Sequence, residues 1–394
     1  MSTSAETRPA PIRLLQTAAF VATFDRFAMP PMLVAIAYDL GVPLGDVVRA
    51  AGAYFLVYGL SQPVWGLVSD RLGRVTTMRL TLLLAGFCSI ASAAAANAPM
   101  LGVARGLAGG LFGAAYPAAL IYIGDTVRLD VRQRDIARLM VGVALGTALA
   151  SVGAGIVADV LSWRLMFVLT GLAAVALAVR LSALPEPPRG KRDGRILRPM
   201  GQVARSPVTL FVLGCALVEG AVLLGTVTLL PPAIESAGAT TTVAGLATGV
   251  YGVSVLGFSA LVGRLSQRHR ASYLIAVGAG AALVACTLLA LSQGVPVAVL
   301  AAVLLGLAWS SMHSTLQTWV TEVLPAARAT AVSFFAGSLF VGSSLAAVVG
   351  SGLADDGRYG VLFAASAVLA VPLALAAVVV HERWQNADAR TARH

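Results

Sequence analysis

The sequence has little charge and almost no cysteine, and each scarcity excludes a class of protein. Charged residues make up 12% of its 394 residues, about half of the ~25% that is usual in soluble domains. With 58% hydrophobic residues and a mean hydropathy of +0.84, the chain is expected to be neither a soluble globular domain nor a disordered one. The three cysteines, Cys88, Cys215 and Cys286, all lie in apolar runs, so no disulfide framework is expected.

Sequence motifs of catalysis are also missing. The chain contains no H-E-x-x-H, no G-x-S-x-G and no G-x-x-x-x-G-K-[ST] phosphate loop, and no cluster of residues with the spacing of metal ligands. We therefore expect neither an enzyme nor an ATP-driven pump, and no cofactor. The first thirteen residues lack the features of a cleaved secretory signal, so the first apolar run is expected to stay in the protein as a membrane span.

Long apolar runs dominate the rest of the sequence. A bilayer core about 30 Å thick takes about 20 apolar residues of helix, and twelve runs have this character. They are residues 14–38, 48–69, 75–96, 99–123, 135–158, 163–184, 207–231, 241–263, 272–291, 294–320, 328–352 and 358–380. The sequence therefore predicts an all-α membrane protein with twelve transmembrane helices, numbered here as spans 1 to 12, in two six-helix pseudo-repeats around a central cavity.

A polar stretch joins the two predicted bundles. Residues 184–195 are rich in proline, glycine and positive charge, which is typical of a flexible linker. The predicted division is an N-terminal bundle at 1–184, a cytoplasmic linker at 185–206 and a C-terminal bundle at 207–394. Parallel repeats are a transporter architecture, and three residues recur at one constant spacing of 196. These pairs are Gly146 and Gly342, Asp159 and Asp355, and Phe167 and Phe363.

Basic residues are distributed unevenly between the two sides of the predicted bundle. If the N-terminus is cytoplasmic, only three of the 28 lysines and arginines fall on the opposite side, namely Arg49, Arg164 and Arg358. Cytoplasmic loops of membrane proteins carry an excess of these residues. We therefore predict a multi-pass protein of the cell inner (plasma) membrane with both termini cytoplasmic. The net charge of +10 then reflects topology, and no nucleic-acid partner is expected.

The loop between spans 2 and 3 carries the most specific motif. It reads Gly66-Leu-Val-Ser-Asp70-Arg71-Leu-Gly73-Arg74, which resembles the loop signature of the major facilitator superfamily. Span 4 contains Arg105-Gly106-x-x-x-Gly110-x-x-Gly113, which is similar to the arginine-bearing span 4 of proton-coupled members. Together with twelve spans in two groups of six, the resemblance covers the whole chain. It implies a secondary transporter similar to the drug and sugar efflux branch, that of the drug:proton antiporters.

The sequence departs from that branch at two positions, and the first of them keeps a second function open. Ser151 stands where efflux antiporters of the family carry the proline of a Gly-Pro pair, and Gln267 replaces the acid in the corresponding loop of the second half. The leading hypothesis is proton-coupled efflux of a small lipophilic or weakly cationic organic compound by alternating access, driven by the proton gradient. The alternative is proton-coupled uptake of a small metabolite such as a sugar or an organic acid.

Five ionisable residues lie inside the predicted spans: Asp25, Arg26, Arg105, Glu219 and His313. A charge at the centre of a span costs about 2.5–3.5 kcal/mol, so these groups are expected to face a polar cavity or each other. Neighbouring helical residues point about 100° apart, so Asp25 and Arg26 serve different faces, and Arg105 is a candidate partner of Asp25. We predict that Asp25, Arg105 and Glu219 couple transport to protons. The competing interpretation of Asp25 is a permanent ion pair that only fixes helix packing.

Aromatic and polar residues supply candidates for a substrate cavity. Tyr54, Tyr58, Ser61 and Trp65 recur every three or four residues and therefore share one face of span 2. On an inner face they would bind flat lipophilic molecules, whereas on an outer face they would be packing residues or interfacial anchors. A lone histidine such as His313 is more often a packing residue. The predicted cavity residues are Arg26, Met29, Tyr54, Tyr58, Tyr116, Trp309, His313 and Gln317.

The loop after span 2 is also the predicted cytoplasmic gate. The resemblance implies that Asp70 meets the N-terminus of span 11 near Arg328, where unpaired N–H groups and the helix dipole favour an acid. It also implies that Arg74 pairs with Asp125 at the end of span 4. The predicted gate residues are Gly66, Asp70, Arg71, Gly73, Arg74, Asp125 and Arg328. The expected partners are a small-molecule substrate, protons and the lipid bilayer, and the chain is expected to be a monomer.

Overall fold

The structure, a computed structural model, describes residues 12–187 and 197–391. Within these ranges it is a bundle of twelve helical spans with no β-strand. The first half contains Ile12–Leu40, Leu44–Leu72, Arg74–Ala93, Ala98–Thr126, Leu129–Val160 and Trp163–Ala183, and the second half contains Pro207–Ser236, Thr241–Leu265, Ala271–Leu291, Val295–Val323, Pro325–Asp355 and Tyr359–Thr391. The predicted all-α membrane fold is confirmed, and most span ends lie within a few residues of their predicted positions.

Eleven of the twelve spans are long and apolar enough to cross a membrane, counted over the described residues. The remaining span is span 2, a helix of 29 residues. It is less apolar than the others because Tyr54, Tyr58, Ser61 and Gln62 lie in its middle. Span 2 packs closely against span 11 of the other half, so its polar residues are placed at the interface between the halves.

The first and fourth spans of each half are interrupted, whereas no break divides the main helices of the other eight. Span 1 breaks at a 3₁₀ turn, Pro30–Met32, because consecutive prolines remove two backbone donors. Span 4 breaks after Phe112 and resumes at Ala115. Spans 7 and 10 each contain one π-helical turn, at Gly220–Leu224 and Trp309–His313.

Side-chain caps explain where several spans begin. The oxygens of Asn97, Ser162, Ser206 and Thr240 each accept a hydrogen bond from a backbone N–H in the first turn of the following helix. Such caps satisfy donors that the first helical turn leaves unpaired. The chain after span 1 reverses at Gly41, whose φ of 62° is left-handed and suits a residue without a Cβ.

Twelve crossings bring Ile12 and Thr391 to the same face of the bundle as the Gly66–Arg74 loop. We call this the loop face and its opposite the far face. Its assignment to the cytoplasm remains a prediction from the distribution of basic residues.

Glycines spaced by seven on span 2 report how the two halves meet. Gly45, Gly52 and Gly59 lie so close to span 11 that a Cβ at Gly52 would be 3.2 Å from the Cβ of Ala347, and one at Gly59 would be 2.7 Å from the carbonyl oxygen of Gly337. Gly66, the next residue in the same series, has no atom within 4 Å of that position. Spans 2 and 11 therefore touch from the far face to mid-depth and separate toward the loop face.

Spans 5 and 8 form the second contact between the halves and repeat this arrangement. A Cβ at Gly155 would lie 3.0 Å from the Cα of Gly245, and one at Gly249 would lie 3.2 Å from the carbonyl oxygen of Ala148. Nearer the loop face, the position of Gly263, on the same face of span 8 as Gly245, has no neighbouring atom within 4 Å. The bundle is therefore closed at the far face and open at the loop face.

Two aspartates related by the 196-residue repeat close the far face. Asp355, at the end of span 11, accepts a hydrogen bond from the backbone N–H of Gly45 at the start of span 2 (2.5 Å). Asp159, at the end of span 5, accepts one from the hydroxyl of Thr242 at the start of span 8 (2.6 Å). Each half thus places one carboxylate on the first turn of a helix in the other half, where the helix dipole favours negative charge.

The predicted linker is only partly described, because residues 188–196 lie outside the described ranges. Its last part, which follows the proline- and glycine-rich residues 184–195, forms the helix Leu197–Arg205. At its start, the Glu186 carboxylate accepts hydrogen bonds from the backbone N–H groups of Arg74, Val75 and Thr76. Glu186 therefore caps span 3 and ties the linker to the loop motif.

Candidate functional site

The buried pair of Asp25 and Arg105 joins spans 1 and 4 at the centre of the first half. The Arg105 Nη2 atom lies 2.7 Å from Asp25 Oδ2 and 3.2 Å from its backbone oxygen, and Nη1 lies 3.2 Å from Oδ1. Both side chains are 0% exposed. The predicted contact is confirmed. Its two-pronged geometry is the form in which arginine binds carboxylates most strongly.

Neighbouring side chains complete the surroundings of this ion pair. Ser89 of span 3 and Thr170 of span 6 donate hydroxyl hydrogen bonds to Asp25 Oδ1 at 2.7 and 3.2 Å. The Arg105 guanidinium lies between the rings of Tyr54 and Phe167, 4.6 Å from each centroid. Four spans therefore converge on one carboxylate. Both Asp25 oxygens have donors, so protonation of this carboxylate would weaken the charge-assisted hydrogen bonds that Arg105 donates to it.

A second acid–base contact joins the first and fourth spans of the second half. Glu219 of span 7 is 0% exposed, and its Oε2 atom lies 3.4 Å from Nδ1 of His313 on span 10. The other oxygen, Oε1, is buried without a hydrogen-bond partner among the described residues. The His313 ring stacks on Trp309, with centroids 3.9 Å apart and planes 19° apart. This site is less completely hydrogen-bonded than the Asp25–Arg105 pair.

The two π-helical turns position the second pair. Glu219 immediately precedes the π turn of span 7, and His313 ends the π turn of span 10. Gly220 lies against the backbone carbonyl of Leu339 on span 11, in a space that a Cβ would fill. A π turn adds one residue to a helix and so rotates the later residues of that helix by about 100°. Such turns occur often at functional sites.

Arg26 faces away from Asp25 and toward the interface between the halves. Its guanidinium lies 5.0 to 5.3 Å from the ring centroids of Phe27, Tyr58 and Phe340. Nη1 donates to the Tyr58 hydroxyl at 3.2 Å. The prediction that Asp25 and Arg26 serve different faces is therefore confirmed.

The remaining predicted cavity residues have varied surroundings. Met29 is buried at the break in span 1, and Gln317 is exposed one turn beyond His313. The Tyr116 hydroxyl contacts Met140 Sδ at 3.8 Å. Of the aromatic series on span 2, only Tyr54 and Tyr58 reach the central charges, since Trp65 donates to the Gly110 carbonyl of span 4 at 2.6 Å. The assignment of these residues to substrate binding stays a prediction.

The loop-face motif is held together by ion pairs within the first half. Arg74 contacts Asp70 at 2.6 Å and Asp125 at 3.2 Å, so the predicted pairing of Arg74 with Asp125 is confirmed. Gly73 has a φ of 103°, and a Cβ there would collide with the Glu186 carboxylate. Arg71 is exposed. Arg328 donates to the Thr321 carbonyl at 3.0 Å.

This loop arrangement belongs to a bundle that is open at the loop face. The predicted contact of Asp70 with the N-terminus of span 11 was expected for the closed loop face, so it remains a prediction.

Several residues of the site were missed in the sequence. Ser89 and Thr170 were isolated polar residues in apolar runs, a signal that points to a buried hydrogen bond without naming its partner. Phe340 and Glu186 had no local signal because their partners lie on other spans. Among the described residues no group of three potential ligands could hold a metal ion.

Comparisons with known proteins agree with the geometry. The family model described as Major Facilitator Superfamily matches residues 16–241 and 212–392. A chloramphenicol resistance protein of Streptomyces lividans is 26% identical over 377 residues, which cover 93% of this chain and 95% of that protein. The solved structure of a D-xylose-proton symporter superposes with a TM-score of 0.77 at 15% identity, over 92% of this chain and 95% of that one.

Other relatives match only part of their length. The 4-hydroxybenzoate transporter PcaK of Acinetobacter baylyi is 28% identical over 198 residues, which cover 48% of this chain and 43% of the relative. For another curated relative the match covers 44% of each chain. These partial matches span less than half of the relatives they concern.

Proposed function

We propose that this chain carries out proton-coupled efflux of a small organic compound by alternating access. The chain belongs to the major facilitator superfamily and is therefore a transporter. The observation that carries the proposal is the Asp25–Arg105 pair. It is fully buried and hydrogen-bonded from spans 3, 4 and 6. Arg105 also lies over the ring of Tyr54 on span 2, the span that packs against the other half.

Protonation of Asp25 would alter contacts on four spans at once. The ionised carboxylate accepts hydrogen bonds from Arg105, Ser89 and Thr170. A neutral carboxyl loses its charge-assisted bond to the guanidinium, which is among the stronger interactions in proteins. A proton can shift a conformational equilibrium only if it binds the two states with different affinity. In this proposal the hydrogen bonds to Asp25 differ between the two states, and the proton affinity of Asp25 differs with them.

Efflux is favoured as the direction by one relative. The chloramphenicol resistance protein aligns with this chain over nearly the whole length of both, and resistance through a transporter implies export. In this proposal the substrate enters from the loop face, which is open in the structure, and leaves at the far face after Asp159 and Asp355 release their helix partners. The proton gradient of the cell membrane drives the cycle, and no cofactor takes part.

Uptake by symport is the second candidate, and span 5 favours it. Span 5 is one continuous helix, Leu129–Val160, with Ser151 buried at the contact with span 8. The proline of the antiporter pattern would remove the backbone N–H at this position. In addition, partial relatives include a transporter of 4-hydroxybenzoate.

Proton movement measured in liposomes tests the proposal. Purified protein is reconstituted with a pH-sensitive dye inside the vesicles, and a panel of organic compounds is added with and without a proton gradient. Antiport predicts that compound and protons move in opposite directions and that Asp25→Asn abolishes the coupling. Co-movement of both would favour symport. Proton-coupled flux that Asp25→Asn leaves intact would refute the assigned role of Asp25.

A further inference from the structure

Arg26 lies at the centre of the bundle in depth as well as laterally. It is the middle residue of span 1, Ile12–Leu40. Tyr58 is the middle residue of span 2, Leu44–Leu72, and Phe340 is the middle residue of span 11, Pro325–Asp355. The Tyr58 and Phe340 ring centroids are 4.3 Å apart, which places them where the two halves last touch before they separate toward the loop face. Arg26 is partly exposed at this point.

The positive charge of Arg26 is not compensated. Among residues 12–187 and 197–391, no carboxylate lies within ion-pair distance of its guanidinium. Asp25 is engaged by Arg105, and Glu219 lies beside His313. A charge at mid-membrane depth is costly and is a functional-site hypothesis by default, so an unpaired guanidinium here calls for a partner that arrives from outside the chain.

Most of the hydrogen-bonding capacity of Arg26 is also unused. A guanidinium carries five N–H donors. The described contacts are one to the Tyr58 hydroxyl at 3.2 Å and one to the Thr23 hydroxyl at 3.5 Å. The Nε atom is buried and has no hydrogen-bond partner in the described part of the chain. The planar fork is the geometry that binds both oxygens of a carboxylate.

The surroundings of the guanidinium are aromatic. Phe27, Tyr58 and Phe340 all have ring centroids within about 5 Å of it. Ring faces attract a cation but do not neutralise it, and they also offer surfaces on which a flat molecule can stack. One of these rings belongs to span 11, so a ligand bound here would touch both halves.

We propose that Arg26 is the anchor for an organic anion and that the transported compound is a planar aromatic carboxylate. Its carboxylate pairs with the guanidinium, and its ring packs among Phe27, Tyr58 and Phe340. This inference rests on the proposed transport function and specifies its substrate class. It replaces the lipophilic or weakly cationic substrate expected from the sequence, because a cation at this position would be repelled by Arg26.

Binding measured without any proton gradient tests this assignment. The protein in lipid nanodiscs is titrated by calorimetry with benzoate, with benzamide, which has the same ring without the charge, and with benzyltrimethylammonium. We expect wild type to bind benzoate at least about tenfold more tightly than either other probe, the discrimination typical of a lost charge-assisted contact. Equal binding of benzoate and benzamide, or preference for the cation, would overturn the proposal.

Variants assign the selectivity to one residue. Arg26→Gln should lose at least about tenfold in benzoate affinity, and Arg26→Lys, which keeps the charge without the fork, should lose less. Arg138→Gln removes an exposed arginine paired with Asp135 on span 5 and should bind benzoate as wild type does. The role of Arg26 as anchor would be refuted if Arg26→Gln bound benzoate as tightly as wild type does. It would also be refuted if chloride bound the site as tightly as benzoate. If Arg26→Gln does not fold, the wild-type selectivity and Arg26→Lys decide the question.

This experiment and the liposome assay fail independently. Proton-coupled flux of a cation that is insensitive to Arg26→Gln would sink the substrate class and leave the coupling mechanism standing. Benzoate binding that depends on Arg26, together with flux that ignores Asp25→Asn, would do the reverse.

Discussion

The two halves of the bundle have the same arrangement of helices but different polar centres. In each half an acid on the first span meets a base on the fourth. In the first half Asp25 and Arg105 make a two-pronged ion pair, and two hydroxyls complete it. In the second half Glu219 and His313 share one contact of 3.4 Å, and one carboxylate oxygen has no described partner.

This difference separates two ways in which a buried acid can serve transport. Protonation of the Asp25 carboxylate weakens the charge-assisted hydrogen bonds from Arg105, so it changes contacts between the spans that hold the pair. A carboxylate with a free oxygen can be protonated while its neighbours stay in place. The more completely bonded half is therefore better suited to couple protons to conformational change, and the other half is better able to adapt to it.

The strongest way to break this comparison is to remove one member of the first pair. Arg105→Leu leaves Asp25 buried without its cation, and breaking a buried ion pair in this way costs about 3–5 kcal/mol. The double variant Arg105→Leu with Asp25→Asn should recover part of that loss, because removing both charges avoids an unpaired one. Thermal unfolding in detergent, monitored by circular dichroism, measures the effect.

An exposed arginine provides the control for this measurement. Arg138→Leu removes a surface ion pair and should change stability by no more than about 0.5 kcal/mol. A double variant that loses as much stability as Arg105→Leu and Asp25→Asn lose together would contradict this expectation. That result would mean that Asp25 and Arg105 are not energetically coupled. The first half would then resemble the second.

The first pair was predictable from the sequence, whereas the second was not, and the reason is local geometry. Few charges occur in the apolar runs, and their high cost forces them together, so Arg105 was a natural partner for Asp25. Glu219 and His313 both border π turns, each of which rotates the later residues of its helix by about 100°. A regular helical period gives no sign of that rotation. His313 was therefore predicted as a cavity residue, with packing as the alternative, and was not paired with Glu219.

The same limit applies to the fold. Spans were predictable because about 20 apolar residues are needed to cross a bilayer. Which glycines meet across the interface was not, since Gly59 and Gly66 have the same local sequence character and only Gly59 lies against span 11. That difference depends on the relative orientation of the two halves, which no single span encodes.

A substitution in the second pair, Glu219 and His313, is expected to lower the free energy of unfolding by an intermediate amount. Glu219→Gln keeps the shape of the side chain and can still hydrogen-bond to His313, so we expect a loss of about 1 kcal/mol or less, the value of one ordinary hydrogen bond. The matched change in the first half, Asp25→Asn, leaves Arg105 unpaired and should cost several-fold more. Unfolding is measured under the same conditions, with the exposed Glu382→Gln as a reference. Equal losses from the two amide substitutions would erase the contrast between the halves.

The smallest expected effect is on the opening of the far face, when either of its two aspartates is replaced. Because these aspartates are related by the 196-residue repeat, they compare the two halves directly. Asp355 accepts from a backbone N–H in the first turn of span 2, whereas the described contact of Asp159 is with the hydroxyl of Thr242. Loss of a helix-capping acceptor costs about 1 kcal/mol, which changes a population about fivefold. Asp355→Ala should therefore open the far face about fivefold more often, and Asp159→Ala less.

The readout is the rate at which an impermeant thiol reagent labels a cysteine placed at Ala347. This position is buried against Gly52 in the closed interface, and the three native cysteines are replaced by alanine. Asp130→Ala, which removes an exposed carboxylate at the loop face, should leave the labelling rate unchanged. If Asp159→Ala opens the far face more than Asp355→Ala does, then helix capping is not what closes it. The closure would then depend on the glycine contacts that both variants leave intact.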